Sequence, residues 1–317
     1  MNPIFSKPLS WLYRCAVEVH KPGISSIRAP LPVVSVGNLE VGGTGKSPIA
    51  QAICAGLERL GCRPAILSRG YGGRLKATAR VVPEQHKASD CGDEPLMHAL
   101  DGYRVYIGGD RHGSAVAAAA DGVDICVLDD GHATKSVVKD FSILVFRPGF
   151  SDRRALLPAG RLREPLEAGL ARSDYVIVNG SPTRNDNDLL AESGLPFLTG
   201  EFVVQPPLAE RDSQPLVLVT GIANPDRVLK TAQRLGYSIA DHLAFPDHHR
   251  FRPSDLAQIQ SALTHHQATV LTTSKDAVRL PPILMENAEI LKGTWQASDQ
   301  EQFRELLARL VSLRGVT

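Results

Sequence analysis

Two hydrophobic rhythms alternate along most of this chain. Short runs of consecutive Val, Ile and Leu read as strands buried on both faces. Between them apolar residues return every three or four positions, the period of a helix with one covered face. In the first half the predicted strands are Pro32–Val36, Ala65–Leu67, Val105–Ile107, Ile125–Leu128 and Ser142–Phe146, with helices at Pro48–Leu60, Pro95–Leu100 and Arg111–Ala120. The second half repeats the theme more loosely, with strands at Tyr175–Val178, Leu216–Val219 and Thr269–Thr272 and helices at Pro225–Leu235, Ser254–Leu263 and Glu301–Leu313. Such alternation predicts an α/β fold with a mostly parallel sheet. The Pro-, Gly- and Arg-rich stretch Pro148–Pro165 marks the expected boundary. The expected division is residues 1–27 as an N-terminal amphipathic helix, 28–150 as a first lobe and 151–317 as a second, smaller α/β lobe, with the last helix free to pack on either.

The N-terminal segment has a pattern of its own. Pro8 suits the opening of a helix that Pro22-Gly23 closes. Leu9, Leu12, Ala16 and Val19, joined by Phe5 if the helix starts earlier, share one face, Lys7, Arg14 and Lys21 form a basic stripe, and Trp11 and Tyr13 flank the apolar side. A helix lying in a membrane surface has this composition. An amphipathic helix packed on the protein's own core has it too, and both readings stand. No apolar run approaches the roughly 18–20 residues that span a bilayer. Lys7, Arg14 and Glu18 also interrupt any secretory apolar region, so the expected compartment is the cytosol or a membrane face looking onto it. Cys15, Cys54, Cys62, Cys91 and Cys126 form no Cys-x-x-Cys pair and are expected to be reduced thiols without structural zinc. With 35 Lys plus Arg against 34 Asp plus Glu the net charge is +1, which excludes nucleic-acid binding by gross basicity. A content of 43% hydrophobic and 22% charged residues over 317 positions is that of a globular chain, long enough for about two domains.

The strongest chemical signal follows the first strand. Val41-Gly42-Gly43-Thr44-Gly45-Lys46-Ser47 lies between Pro32–Val36 and the helix from Pro48, the strand–loop–helix setting of a P-loop. Glycines let successive N–H groups turn inward toward phosphate oxygens, and the helix N-terminus adds positive potential. Gly42, Gly43, Thr44, Gly45, Lys46 and Ser47 are therefore the predicted nucleotide-binding set, with Lys46 on the β/γ-phosphates and the Ser47 hydroxyl on Mg²⁺. The first glycine of the usual pattern is replaced by Glu40. The run Ile125–Leu128 ends in Asp129-Asp130-Gly131, placing two carboxylates at the end of a core strand where they can hold Mg²⁺. Together these predict a P-loop NTPase-like three-layer α/β/α lobe using Mg²⁺ and a nucleoside triphosphate.

Several segments, in order, resemble one family, the tetraacyldisaccharide 4′-kinases (lipid A 4′-kinases). They are Pro8 to Tyr13, Gly37-Asn38 leading into Gly42 to Pro48, Leu67-Ser68-Arg69-Gly70-Tyr71-Gly72-Gly73, Gly92-Asp93-Glu94-Pro95, Asp110-Arg111 and Leu157 to Pro165. The second half adds Gly221 to Arg227, Phe245-Pro246-Asp247-His248-His249 and Thr273-Ser274-Lys275-Asp276-Ala277-Val278. The likeness runs from about Pro8 to Leu280. It implies transfer of the γ-phosphoryl of ATP to the 4′-hydroxyl of an acylated glucosamine disaccharide 1-phosphate, giving lipid IVA. It also implies a peripheral enzyme on the cytoplasmic face of the bacterial inner membrane; the partner expectation beside it is a monomer without nucleic acid. Two α/β/α lobes joined by a β-hairpin linker are the implied fold.

The family pattern gives Asp93 the part of acceptor for the sugar hydroxyl's proton, with Glu94 beside it near the metal. Adjacent carboxylates before a helix also serve as a cap, and that alternative stands. His248 matches the family histidine that orients the catalytic carboxylate. His249 is its rival, and a solvated Asp247-His248-His249 loop is a third reading. Arg69, Arg111, Arg161 and Arg163 are candidates for meeting phosphate charge, Arg111 and Arg163 on the nucleotide side. The chain also departs from the family. Where the pattern continues the acidic pair as Asp-Asp-Gly-Phe-Gln-His-Arg-Arg, this sequence has Asp129-Asp130-Gly131-His132-Ala133-Thr134-Lys135-Ser136. Ala133 cannot replace the glutamine, and His132 is the candidate stand-in. Ser47 replaces a commoner threonine and Ser274 a glutamate. The competing readings are a P-loop GTPase or metallochaperone switch, for which Thr273-Ser274-Lys275-Asp276 is a poor guanine-reading motif, and a degenerate lipid or ATP binder.

Overall fold

A computed structural model describes residues 26–204, 206, 214–247 and 249–315. The expected helix between Pro8 and Pro22, Cys15 and His248 lie outside the described residues. The strands are β1 (Val33–Gly37), β2 (Pro64–Ser68), β3 (Ala79–Arg80), β4 (Val105–Ile107), β5 (Ile125–Asp129), β6 (Phe141–Phe146), β7 (Tyr175–Asn179), β8 (Phe197–Val204), β9 (Leu216–Thr220), β10 (Ile239–Ala244), β11 (Thr269–Thr273), β12 (Glu289–Leu291) and β13 (Gly293–Ala297). They form a nine-stranded sheet in the order β13-β8-β7-β6-β1-β5-β2-β4-β3 and a four-stranded sheet in the order β10-β9-β11-β12. All neighbours in both sheets are parallel except the outermost pairs of the large one, β3 with β4 and β13 with β8.

Helices cover both faces of the large sheet, as the continuous apolar strands require. On one face the Lys46–Arg59 helix lays Ile49, Ile53 and Leu57 against Val34, Ile66 and Val127. On the other, Ala115 and Ala118 of the Arg111–Ala120 helix cover Val33, Leu67 and Leu128. The small sheet has the same three layers, with Ala232 and Tyr237 on one face and Ile259, Leu280 and Leu284 on the other.

The boundary expected near residue 150 does not coincide with the division between sheets. β7, β8 and β13 all extend the large sheet, so the small sheet takes its strands from Leu216 to Leu291. The physical reason lies in side-chain matching. β8 and β13 are paired through Gly200, where an added Cβ would stand 2.3 Å from the Trp295 ring, so the glycine admits the indole. The Gln300–Ser312 helix then returns to the large sheet. Phe303, Leu306, Leu307 and Leu310 join its core, and Leu307 lies where a side chain on Gly56 would be. Truncating Leu307 to alanine there should cost about 2–5 kcal/mol.

Candidate active site

The carboxyl ends of β1, β5 and β2 carry the loops that form the site, as open α/β sheets generally arrange them. The loop after β1 turns through Gly42 (φ 113°) and Gly45 (φ 89°), left-handed conformations that glycine tolerates. A Cβ on Gly45 would meet the Asn179 amide at 2.1 Å, and that amide donates to the Thr44 carbonyl at 3.0 Å. Arg161 donates twice to the Val41 carbonyl, at 2.9 and 3.2 Å, and its own carbonyl accepts from Val41 N–H at 2.9 Å. Arg161 thus braces the loop backbone. Glu40 is buried, accepts from Arg153 Nε at 2.7 Å and lies 3.8 Å from Arg147. The missing first glycine is therefore an anchor turned into the protein.

Lys46 opens the helix. Its Nζ donates to Asn38 Oδ1 at 3.0 Å and stands 3.5 Å from Asp130 Oδ1, with Arg163 3.8 Å from the same oxygen. Asp130 has φ 57° and a half-exposed side chain, whereas Asp129 is buried. Asp129 Oδ2 accepts from His98 Nε2 at 3.1 Å, and the Ser47 hydroxyl is close enough to favour the ionised carboxylate. Burial alone would raise the Asp129 pKa. The His98 bond, the Ser47 hydroxyl and the nearby Lys46 charge outweigh it, so the carboxyl sits below its ordinary range. Asp129 Oδ1 and the His98 Nδ1 are buried without hydrogen-bond partners. An orphaned carboxylate oxygen beside Ser47 suits a hard cation that takes its remaining ligands from phosphate and water. Among the described residues no group of three or more His, Cys, Asp or Glu is arranged to hold a metal by itself.

Asp93 and Glu94 open the Asp93–Leu100 helix, and Gly92 (φ 95°) is its N-cap, so neither carboxylate caps it. Both lie in its first turn, where the helix dipole favours negative charge. The Arg69–Gly73 loop packs backbone to backbone on the approach to Asp93: a Cβ on Gly73 would meet the Asp90 carbonyl at 2.5 Å, and one on Gly92 the Tyr71 carbonyl at 2.5 Å. The same helix ends in the His98 that holds Asp129. Asp93 is five residues before it, about 7.5 Å along the axis at 1.5 Å per residue. The helix that begins at Asp93 is thus tied to the acidic pair through His98.

Residues of the small sheet complete the surroundings. Arg279 Nε is 3.5 Å from Asp93 Oδ2, and Lys275 Nζ is 3.7 Å from Glu94 Oε1. His249 Nε2 is 2.8 Å from Asp255 Oδ2, and its ring stacks on Phe245. Arg111 is buried beside the acidic pair. Burial, with Arg69 adding to it, lowers its pKa to about 10 against the opposing pull of Asp130 and Asp129. His132 does not serve as the stand-in expected for the missing glutamine. It is buried against Gly37, and its ring bonds Glu164 Oε1 at 2.9 Å, which Arg172 also holds. The described cysteines, Cys54, Cys62, Cys91 and Cys126, are free and buried.

Sequence reasoning missed His98 and Arg279. A lone histidine in a short apolar helix reads as core, and a lone arginine reads as surface charge. The only available signals were the i, i+5 spacing of Asp93 and His98 and the placement of Arg279 just after the Thr273–Val278 motif.

Known proteins share this sequence and fold. The family model described as tetraacyldisaccharide-1-P 4′-kinase matches residues 3–312. The tetraacyldisaccharide 4′-kinase of Rhodospirillum centenum is 36% identical over 308 residues, covering 96% of this chain and 90% of the relative. That of a Methylobacterium species (strain 4-46) is 38% identical over 314 residues, covering 97% and 93%. Among solved structures, LpxK from Aquifex aeolicus in complex with ATP superposes with a TM-score of 0.75 at 25% identity, covering 96% of this chain and 97% of that one. The phosphate loop, the acidic pair and the carboxylate-bearing helix therefore sit on a fold and a sequence shared from end to end, and this chain belongs to the tetraacyldisaccharide-1-P 4′-kinase family.

Proposed function

We propose that this protein transfers the γ-phosphoryl of ATP to the 4′-hydroxyl of a tetraacylated glucosamine disaccharide 1-phosphate, giving lipid IVA. One observation carries the reading beyond family membership: a single helix runs from Asp93 to the His98–Asp129–Ser47 cluster beside Lys46. Phosphoryl transfer asks the protein for positioning and charge neutralisation more than for covalent chemistry. The amides of Gly42 to Gly45 and the Lys46 ammonium bind the ATP phosphates. Arg111 and Arg163 add positive charge at the edge of the acidic pair. Ser47, Asp129 and Asp130 would hold Mg²⁺, which when bound neutralises charge on the phosphate oxygens. Asp93 receives the proton of the attacking hydroxyl, with Glu94 beside it. His248 is the residue for orienting Asp93, and the commitment of His249 to Asp255 favours His248 over its neighbour.

The division of labour follows the two sheets: the large one binds nucleotide and the small one closes over the acceptor. Because the acceptor's acyl chains are anchored in a bilayer, the enzyme works at the membrane surface, on the cytoplasmic face where ATP is found, through the basic amphipathic segment before residue 26. No helix among the described residues is long and apolar enough to cross a membrane. Every group named comes from one chain, so a monomer suffices. The test is transfer of ³²P from ATP to the acylated disaccharide in detergent micelles. Label on the lipid is expected. ATP hydrolysis indifferent to the lipid, or ATP binding without turnover, would sink the proposal.

A further inference from the structure

The two cations that the small sheet extends toward the Asp93–Leu100 helix are held differently. Lys275 is 25% exposed and shared between Glu94 at 3.7 Å and Asp247 at 3.9 Å. The Arg279 side chain is 5% exposed and every nitrogen of its guanidinium is engaged. Nη2 donates to the Gly221 carbonyl at 3.0 Å and to Asp276 Oδ1, Nη1 donates to the His249 carbonyl at 3.2 Å, and Nε donates to the Lys275 carbonyl at 3.4 Å while lying 3.5 Å from Asp93 Oδ2. Asp276 is itself fully buried, accepting from Gly221 N–H at 3.0 Å and the Thr273 hydroxyl at 2.8 Å.

This arrangement makes Arg279 a fixed charge. A guanidinium is a planar fork, and one whose Nη atoms are tied to two backbone carbonyls and a buried carboxylate has little freedom left. The carbonyl it grips at His249 also ties down the loop after Phe245. The Nε side of the same guanidinium, besides donating to the Lys275 carbonyl, forms an ion pair across to the large sheet with the Asp93 carboxylate at 3.5 Å. That carboxylate stands at the first position of the Asp93–Leu100 helix, after its N-cap Gly92.

We propose that Arg279 is a positioning residue for phosphoryl transfer: through Oδ2 it holds the Asp93 carboxylate at the angle from which it receives the acceptor's proton, making the small sheet a working part of the active site. The proposal rests on the function proposed above. Its rival is a tether that joins the sheets without touching catalysis.

Turnover in the micelle assay separates the two, with ATP binding followed by calorimetry and folding by thermal melting. Arg279→Met is expected to lower kcat about 10²-fold, the scale of a displacement of order 1 Å at a reacting group, while the Kd for ATP stays within about threefold. Added guanidinium should restore part of kcat. Arg279→Lys should fall between, about tenfold down, because it keeps a charge but not the fork. A kcat for Arg279→Met within about threefold of wild type overturns the proposal, as does a loss of ATP affinity that parallels the loss of turnover. If Arg279→Met does not fold, Arg279→Lys decides alone: reduced kcat with unchanged ATP affinity supports the proposal, and wild-type kcat overturns it. Transfer indifferent to Arg279 overturns this inference only, whereas absence of transfer by the wild type overturns the parent reading and this one with it.

Discussion

The phosphate side and the acceptor side of this site are built by different means. On the phosphate side Lys46, Ser47, Asp129 and Asp130 follow the ends of β1 and β5, neighbours in one parallel ladder whose register pairs Val36 with Asp129. Backbone hydrogen bonds set those separations before any ligand arrives. On the acceptor side Asp93 and Glu94 come from the large sheet's layer and Lys275 and Arg279 from the small one, and no ladder joins the two sheets. Charge contacts at 3.5 and 3.7 Å span the gap, with Val278 packed on the large sheet's core and Val204 on the small one's. A ladder fixes its positions through backbone hydrogen bonds, whereas these contacts between the sheets are made through side chains. On the proposed assignment of the site, the comparison teaches that the nucleotide side is pre-formed by one sheet while the acceptor side depends on the relation between the two.

The comparison breaks most decisively at Asp93. Asp93→Asn should lower phosphoryl transfer about 10³-fold or more, within the range a general base contributes, while calorimetry finds ATP affinity nearly unchanged. Wild-type turnover in that variant would remove Asp93 from the mechanism. On the other side, Lys46→Met should lose ATP affinity and turnover together, about 10²-fold in kcat/KM for ATP, because the cation contacts ground state and transition state alike. A pure kcat effect with intact ATP binding would mean the cradle does not hold nucleotide through Lys46. His98→Leu tests the link between the halves. Removing the Asp129 Oδ2 donor should cost about tenfold in kcat/KM for ATP and raise the free Mg²⁺ needed for half-maximal rate. A magnesium dependence identical to wild type would show the link is only packing.

The smallest effect on turnover belongs to a residue outside both halves. Asp186 is buried and accepts from the N–H groups of Gly149 at 2.6 Å, Ser151 at 2.9 Å and Thr183 at 2.9 Å. Burial alone would raise its pKa; these bonds outweigh it and bring the carboxyl below its ordinary 3.8. A lowered folded value means the stabilisation is present above about pH 4 and disappears as pH falls through the folded pKa. Asp186→Ala should cost about 3 kcal/mol of unfolding free energy near neutral pH, a gap to wild type that narrows in urea titrations near pH 3, with kcat unchanged. A gap that is constant with pH would refute the ionised-acceptor account.

Legibility in the sequence followed burial. β1, β2, β4, β5, β6, β7, β9 and β11 are runs of branched residues buried on both faces, and the predicted spans agree with them within about two residues. β8, β10, β12 and β13 went unpredicted because they mix Gly, Thr, Glu and Asp into half-exposed strands, such as the Ile-Ala-Asp-His-Leu-Ala of β10. The Arg184–Ser193 helix was missed for its polar composition. In the site, contiguity decided the outcome. The phosphate loop and acidic pair are readable because backbone geometry fixes which neighbours do which task. Glu40 read as a defect, and only its partners Arg153 and Arg147, more than a hundred residues on, make it an anchor.

The sequence by itself determined the fold class, and it marked the loop and the carboxylates proposed as the phosphate cradle, because those depend on apolar periodicity and on backbone conformations that a few adjacent residues specify. The tertiary structure alone decided that the last helix packs on the large sheet, that His132 serves Glu164, that His98 holds Asp129 and that Arg279 reaches Asp93. Each of those is a contact between residues far apart in the chain, one that exists only once burial has brought its partners together, and no local pattern records it.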